Sequence, residues 1–134
     1  MTPELSTIFV YGTLLRGESN HRFLARASFV AEARSEPCFE LVDLGHFPAL
    51  IAGGQTAVHG ELYRVDDETL SRLDRLEGHP HFYTRTNIAL ADGVHAQTYL
   101  LPAHQAAGAR RIASGSWRTR DVGSAAAAPG VRRP

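Results

Sequence analysis

Glu77 is the residue whose type and position most suggest chemistry. At 3.6 residues per turn it shares one helical face with Leu70 and Leu73. A carboxylate at the end of a core-facing row is unusual, and apolar neighbours raise its tendency to hold a proton. Such a group can take and return a proton near neutral pH. The alternative is a helix-terminal glutamate turned to solvent or paired with Arg85. Asp74 falls one step past Leu73, off the row, and is expected to be wet.

A second candidate is the stretch Tyr11-Gly12-Thr13-Leu14, which follows the apolar run Ile8 to Val10. Glycine lets another group approach the main chain, and free N–H groups at the end of a strand can hold a carboxylate or a carbonyl. The alternative is an ordinary strand-to-loop turn. His79-Pro80-His81 invites a metal hypothesis, but the spacing lacks a strong third ligand and does not match HExxH. These histidines read as solvent-facing, and no metal site is expected. Cys38, the single cysteine, excludes an internal disulfide and reads as a small core residue.

These residues need elements to position them. Thr7 to Tyr11 reads as a strand, and Ser19 or Asn20 can cap a short helix to about Ala25. Leu24 would face inward and His21 can point toward the loop after Tyr11. Ser28 to Val42 alternates and is interrupted near Pro37, giving two strand segments. Leu44 to Leu50 reads as a turn whose Phe47 and Leu50 cover a core edge, and Gly53-Gly54 as a hairpin-like turn. In the strand Val58 to Val65, Gly60 implies a bulge or a close backbone contact. Asp66 is placed to cap a helix from Asp67 to Leu76 that Gly78 ends. Phe82 to Leu90 and Val94 to Leu101 form two strands about an Asp92-Gly93 turn. His104 to Arg111 reads as a short helix.

The chain has 134 residues, enough for one domain with a real core. Its 14 basic residues, all arginine, balance 14 acidic ones, and no basic stripe suggests a nucleic-acid partner. No apolar run approaches membrane-spanning length, and the first residues lack a signal-peptide pattern. A cytoplasmic protein is expected. Residues 1–120 read as a single catalytic domain and 121–134 as a flexible Ala/Gly/Pro/Arg tail.

Two separated motifs carry a resemblance. Tyr11-Gly12-Thr13-Leu14 with Gly17 and His21 resembles the first signature of the gamma-glutamylcyclotransferase-like family, which includes the AIG2-like proteins. Leu73-Asp74-Arg75-Leu76-Glu77-Gly78 with Tyr83 and Arg85 is similar to its second, and Gly60-Glu61-Leu62-Tyr63 also fits. In the closing segment, Ile112 to Arg118, Ser116 stands where the family commonly has an acidic residue.

The resemblance implies an α+β fold, a compact mixed β-barrel with flanking short helices. It also implies release of 5-oxoproline from a small γ-glutamyl compound without a cofactor, with Glu77 as the general acid/base. Tyr11, Gly12, Thr13 and Leu14 become substrate-binding candidates. Tyr83, Arg85 and Tyr99 join them, each with a structural reading beside the functional one. An apolar rim at Phe47 to Leu50 favours a γ-glutamylamine or a γ-glutamylated small metabolite. The competing readings are a non-catalytic ligand-binding protein of the same fold and a tailoring enzyme that removes a γ-glutamyl protecting group.

Overall fold

The computed structural model describes residues 5–120, so the tail expected over 121–134 lies outside the described residues. The fold is α+β: a strongly curled, half-barrel sheet with one α-helix and two short 3-10 turns on its flanks. Its strands are β1 (Ser6–Val10), β2 (Ser28–Arg34), β3 (Phe39–Asp43), β4 (Pro48–Ala52), β5 (His59–Val65), β6 (Thr84–Ala89), β7 (His95–Leu100) and β8 (Arg110–Arg111). The order across the sheet is β2-β5-β1-β7-β4-β3-β8, with β6 on the other edge of β7. No helix of the described residues is long and apolar enough to cross a membrane.

β1 lies centrally because Ile8, Phe9 and Val10 are all buried, as a strand covered on both faces requires. It pairs antiparallel with β5, Ile8 opposite Tyr63 and Phe9 opposite Leu62. Gly60 of β5 makes the close contact its type implies: a β-carbon there would lie 2.2 Å from the Val10 carbonyl oxygen. The bulge is on the partner strand, between Phe29 and Ala31 of β2.

β7 organises the rest. β6 pairs antiparallel along its whole length, from Thr84 opposite Leu100 to Ala89 opposite His95. The other edge of β7 is shared between two parallel neighbours, β1 at Gln97 and β4 at Leu100. Where β4 meets β7, a side chain from the end of β1 joins the backbone of both strands. The buried Tyr11 hydroxyl donates to the Tyr99 carbonyl at 2.6 Å and accepts the Leu50 N–H at 3.2 Å. Burial first, then the charges of Tyr83 and Glu77, hold the Tyr11 phenol far above its usual pKa, so it stays a donor.

The helix α1 (Asp67–Glu77) starts and stops as the sequence implies. Asp66 accepts the Thr69 N–H at 2.8 Å, and Gly78, in the left-handed region at φ 71°, ends the helix. Leu73 is fully buried and Leu70 packs against the core.

Four local expectations are corrected. Pro48 to Ala52 is a strand rather than part of a turn: the unbroken apolar run pairs with β3, and proline occupies its first position. Gly53-Gly54 does not link paired strands, since β4 lies beside β3 and β7 and β5 beside β1 and β2. His104 to Arg111 holds only a 3-10 turn, Ala103–Ala106. Gly108, at φ 81°, then redirects the chain into β8. Cys38 is exposed, because a turn before β3 gives the inward position to Phe39.

The fork yields a stability prediction. Tyr11→Phe removes both hydrogen bonds of the buried hydroxyl, to the Tyr99 carbonyl and from the Leu50 N–H, and should lower stability by about 1–3 kcal/mol. Urea unfolding should show a lower midpoint at unchanged slope.

Candidate active site

A cavity of about 280 Å3 lies between the loop after β1, the start of β4 and the C-terminal end of α1. Tyr11, Gly12, Thr13 and Leu14 line one side, Phe47 and Pro48 another, and Leu76, Glu77, Phe82 and Tyr83 a third, with Tyr99 also present. The two separated motifs therefore meet at one cavity.

Glu77 is the last residue of α1 and is partly buried. Among the described residues its carboxylate has neither a hydrogen-bond nor a salt-bridge partner. Burial alone raises its pKa, to about 7. It is therefore divided between acid and base forms near neutrality, whereas an exposed glutamate is almost wholly ionised there.

In the loop after β1, the backbone N–H groups of Gly12, Thr13 and Leu14 also lack acceptors among the described residues. The carbonyls of this loop are engaged instead. Gly12 accepts from Leu15 N–H at 3.0 Å, Thr13 from Asn20 N–H at 2.8 Å, and the Leu14 carbonyl lies 2.9 Å from His21 Nδ1. Asn20 Nδ2 donates to Thr13 Oγ1 at 2.9 Å. The loop is thus held by its carbonyls and leaves its amides available to an acceptor in the cavity. Gly12 is required by space: a β-carbon would lie 2.5 Å from Pro48 Cγ.

The far side of the loop is anchored by Glu61, which is 1% exposed. Its carboxylate accepts the Arg16 N–H at 3.0 Å, the Tyr63 hydroxyl at 3.0 Å and Arg118 Nη1 at 3.3 Å. Burial opposes its ionisation, but these donors and the arginine charges outweigh burial and hold its pKa below the usual value. Arg118 also donates to the Arg16 carbonyl, so the closing segment is tied to the first loop.

The three cavity tyrosines are committed to protein acceptors. Besides the Tyr11 pair, Tyr83 donates to the Pro48 carbonyl at 2.6 Å and Tyr99 to Asp74 Oδ1 at 2.6 Å. Burial raises the pKa of both phenols well above its usual value. Their rings shape the cavity, and their donors are in use.

Asp74 is not wet. Arg85 grips it through Nε to Oδ1 at 2.9 Å and Nη2 to Oδ2 at 3.1 Å, and also donates to Gln97 Oε1. Burial pushes the Asp74 carboxyl up, but hydrogen bonds from Arg85 and Tyr99 outweigh it and leave the pKa lowered. Arg85 is therefore paired with Asp74 rather than with Glu77 or Glu61, and it does not line the cavity. The cluster joins α1 to β6 and β7 one turn before Glu77, fixing the face that the helix turns to the cavity. His79 Nδ1 accepts the Arg85 N–H at 2.9 Å, so this histidine braces the same corner. The described residues contain no group of three or more metal-ligating side chains.

Sequence reasoning missed Asn20, Leu76 and Phe82 as cavity residues. Asn20 had a signal in its place after the first motif. Leu76 and Phe82 had none beyond flanking Glu77.

Removing the guanidinium with Arg85→Met should lower stability by about 1–3 kcal/mol at pH 7, because the Asp74 carboxylate loses its counter-charge and keeps only the Tyr99 hydroxyl. A depressed carboxylate pKa contributes stability above the unfolded value and loses it as pH falls. The gap between wild type and variant should therefore shrink in acid, below about pH 4, in parallel thermal melts.

Comparison with known proteins identifies the family. The family model described as gamma-glutamyl cyclotransferase, AIG2-like, matches residues 8–119. A putative gamma-glutamylcyclotransferase of Vibrio cholerae is 47% identical over 81 residues, 60% of this chain and 70% of that protein. The gamma-glutamylcyclotransferase family protein YtfP of Escherichia coli K12 is 35% identical over 115 residues, 85% of this chain and 97% of its own. Among solved structures, an AIG2-like protein from Mus musculus superposes with a TM-score of 0.67 at 32% identity, over 72% of this chain and 77% of that one. A uropathogenic E. coli-specific protein does so with a TM-score of 0.77 at 28% identity, over 89% and 95%. The chain belongs to the gamma-glutamyl cyclotransferase, AIG2-like family.

Proposed function

We propose that this protein is an intramolecular cyclotransferase that releases 5-oxoproline and a free amine from a γ-glutamyl amine or a γ-glutamylated small metabolite. The observation that carries the reading is Glu77: a partly buried carboxylate without a partner among the described residues, with its pKa raised to about 7, in a cavity also lined by Gly12, Thr13 and Leu14.

The chemistry follows from proton balance. The α-ammonium of the γ-glutamyl group must lose a proton before its nitrogen can attack, and Glu77 in its base form accepts it. The neutral amine adds to its own γ-carbonyl carbon and closes a five-membered ring. The tetrahedral oxyanion, or the α-carboxylate, is held by the N–H groups of Gly12, Thr13 and Leu14. Protonated Glu77 then donates to the departing nitrogen as the old C–N bond breaks. In all, two protons leave the attacking nitrogen and two reach the departing one, which ends as an ammonium. The balance closes without water or an added reactant. Because nucleophile and electrophile share one molecule, the cavity acts mainly by selecting the folded substrate conformer.

Glu77→Gln keeps the size of the side chain and removes its proton exchange. Release of 5-oxoproline from an accepted γ-glutamyl amide should fall by about 100-fold or more while the circular dichroism spectrum is unchanged. Wild-type turnover in a folded variant would remove Glu77 from the mechanism.

The same substitution has a consequence that needs no substrate. A carboxyl whose folded pKa lies above its unfolded value binds its proton more tightly when folded, so stability falls as pH rises between the two values. For Glu77 that window runs from about 4.5 to about 7. Glu77→Gln should therefore melt above wild type at about pH 8, and the advantage should diminish toward about pH 5.

A further inference from the structure

Asn20 stands where its residue type ordinarily does another job. It directly precedes the 3-10 turn His21–Leu24, and an asparagine at the head of a helical turn commonly accepts one of the turn's free N–H groups. Its side chain makes no capping bond here. Nδ2 donates instead to Thr13 Oγ1 at 2.9 Å, while the Asn20 N–H donates to the Thr13 carbonyl at 2.8 Å. The next residue continues the pattern, with His21 Nδ1 2.9 Å from the Leu14 carbonyl. Asn20 and Thr13 both line the cavity that holds Glu77.

The direction of the side-chain bond decides what Thr13 can offer a ligand. A threonine hydroxyl has one hydrogen to give and lone pairs that accept. Because the Asn20 amide group donates to Oγ1, the hydroxyl hydrogen is turned away from Asn20. Asn20 thus supplies both oxygens of Thr13, the carbonyl and the hydroxyl. Both Thr13 donors, N–H and O–H, are left without acceptors among the described residues. Such a pair suits a carboxylate or an oxyanion, which can only accept. An aspartate in place of Asn20 would reverse the bond. An ionised carboxylate has no hydrogen to give, so the Thr13 hydroxyl would donate to it and be lost to a ligand.

We propose that Asn20 is a positioning residue of the cavity: by donating to Thr13 Oγ1 it directs the Thr13 hydroxyl hydrogen to an oxygen of the γ-glutamyl group. This rests on the cyclisation reading and adds to it a side-chain donor, where that reading uses main-chain N–H groups alone. Asn20 acts only through Thr13. It is the donor half of its carboxamide that the site uses, which is why aspartate, serine or threonine, each a good residue at the head of a helical turn, cannot stand in for it.

The test measures 5-oxoproline release from γ-glutamylbenzylamide and γ-glutamylalanine, with a thermal melt of each protein, for wild type, Thr13→Val, Thr13→Ser, Asn20→Asp and the double variant Thr13→Val/Asn20→Asp. Thr13→Val keeps the size of the side chain and should lower kcat/KM by about 10-fold or more, most of which Thr13→Ser should recover. Asn20→Asp keeps a hydrogen bond to Thr13 with its direction reversed. It should therefore melt close to wild type and still lose about 10-fold or more in kcat/KM. The new charge also acts on the cavity, and the double variant separates that effect: Asn20→Asp should cost a smaller factor in the Thr13→Val background than in wild type. Wild-type kcat/KM in Thr13→Val or in Asn20→Asp, or an equal factor for Asn20→Asp in both backgrounds, overturns the inference and leaves cyclisation standing. A loss in Asn20→Asp that comes with a lower melting temperature marks Asn20 as a brace and overturns it too. Absence of 5-oxoproline from both donors with the wild-type protein overturns the cyclisation reading and this inference with it.

Discussion

The hydroxyl of Tyr11 joins the two halves of the sheet. β7 can offer only one edge to β1 and β4 together, so the two strands must part along it. There one buried phenol donates to the Tyr99 carbonyl and accepts the Leu50 N–H, tying the end of β1 to both β7 and β4. The divergence of β1 and β4 opens the floor on which the cavity is built. The same tyrosine begins the loop that lines that cavity. The structural bond and the site therefore share one residue.

Around that fork, polar side chains are divided into those used by the fold and those left over. Tyr83 is spent on Pro48, Tyr99 on Asp74, Asp74 on Arg85, and Glu61 on the first loop. Among the described residues, Glu77 and the N–H groups of Gly12, Thr13 and Leu14 are left without partners at the cavity. Each satisfied group stiffens a wall: the Asp74 cluster sets the face of α1, and Glu61 sets the loop from behind. The cavity is thus left a carboxylate without a partner among the described residues and a loop whose Gly12, Thr13 and Leu14 amides make no hydrogen bond among them. A rigid wall around a free carboxylate also explains why burial perturbs Glu77 without supplying a compensating partner.

How much of this was legible in the sequence depends on whether the signal was local. α1 was readable because its cap, its leucine row and its terminal glycine all lie on one stretch, and Glu77 was readable because it completes that row. β4 was obscured because Pro48-Ala49-Leu50-Ile51-Ala52 is apolar throughout and shows no alternation. The position of Asp74 off the row marked exposure correctly for an isolated helix, but its partners arrive from β6 and β7. The acceptors of Tyr11 and Tyr83 are backbone carbonyls, which any residue type provides, so no motif announces them. Cys38 misleads for a similar reason: the choice between it and Phe39 for the inward position is made by the turn before β3.

The central claim is that Glu77 exchanges a proton near neutral pH because it is buried without a partner. The most direct measurement is a carbon-detected NMR titration of the Glu77 side-chain carboxyl, assigned by its loss in Glu77→Gln and followed over a range from about pH 4 to pH 9. A midpoint of about 7 is the predicted result. A midpoint at the ordinary value of 4.5 would mean that the carboxylate is solvated or paired, and would contradict the account.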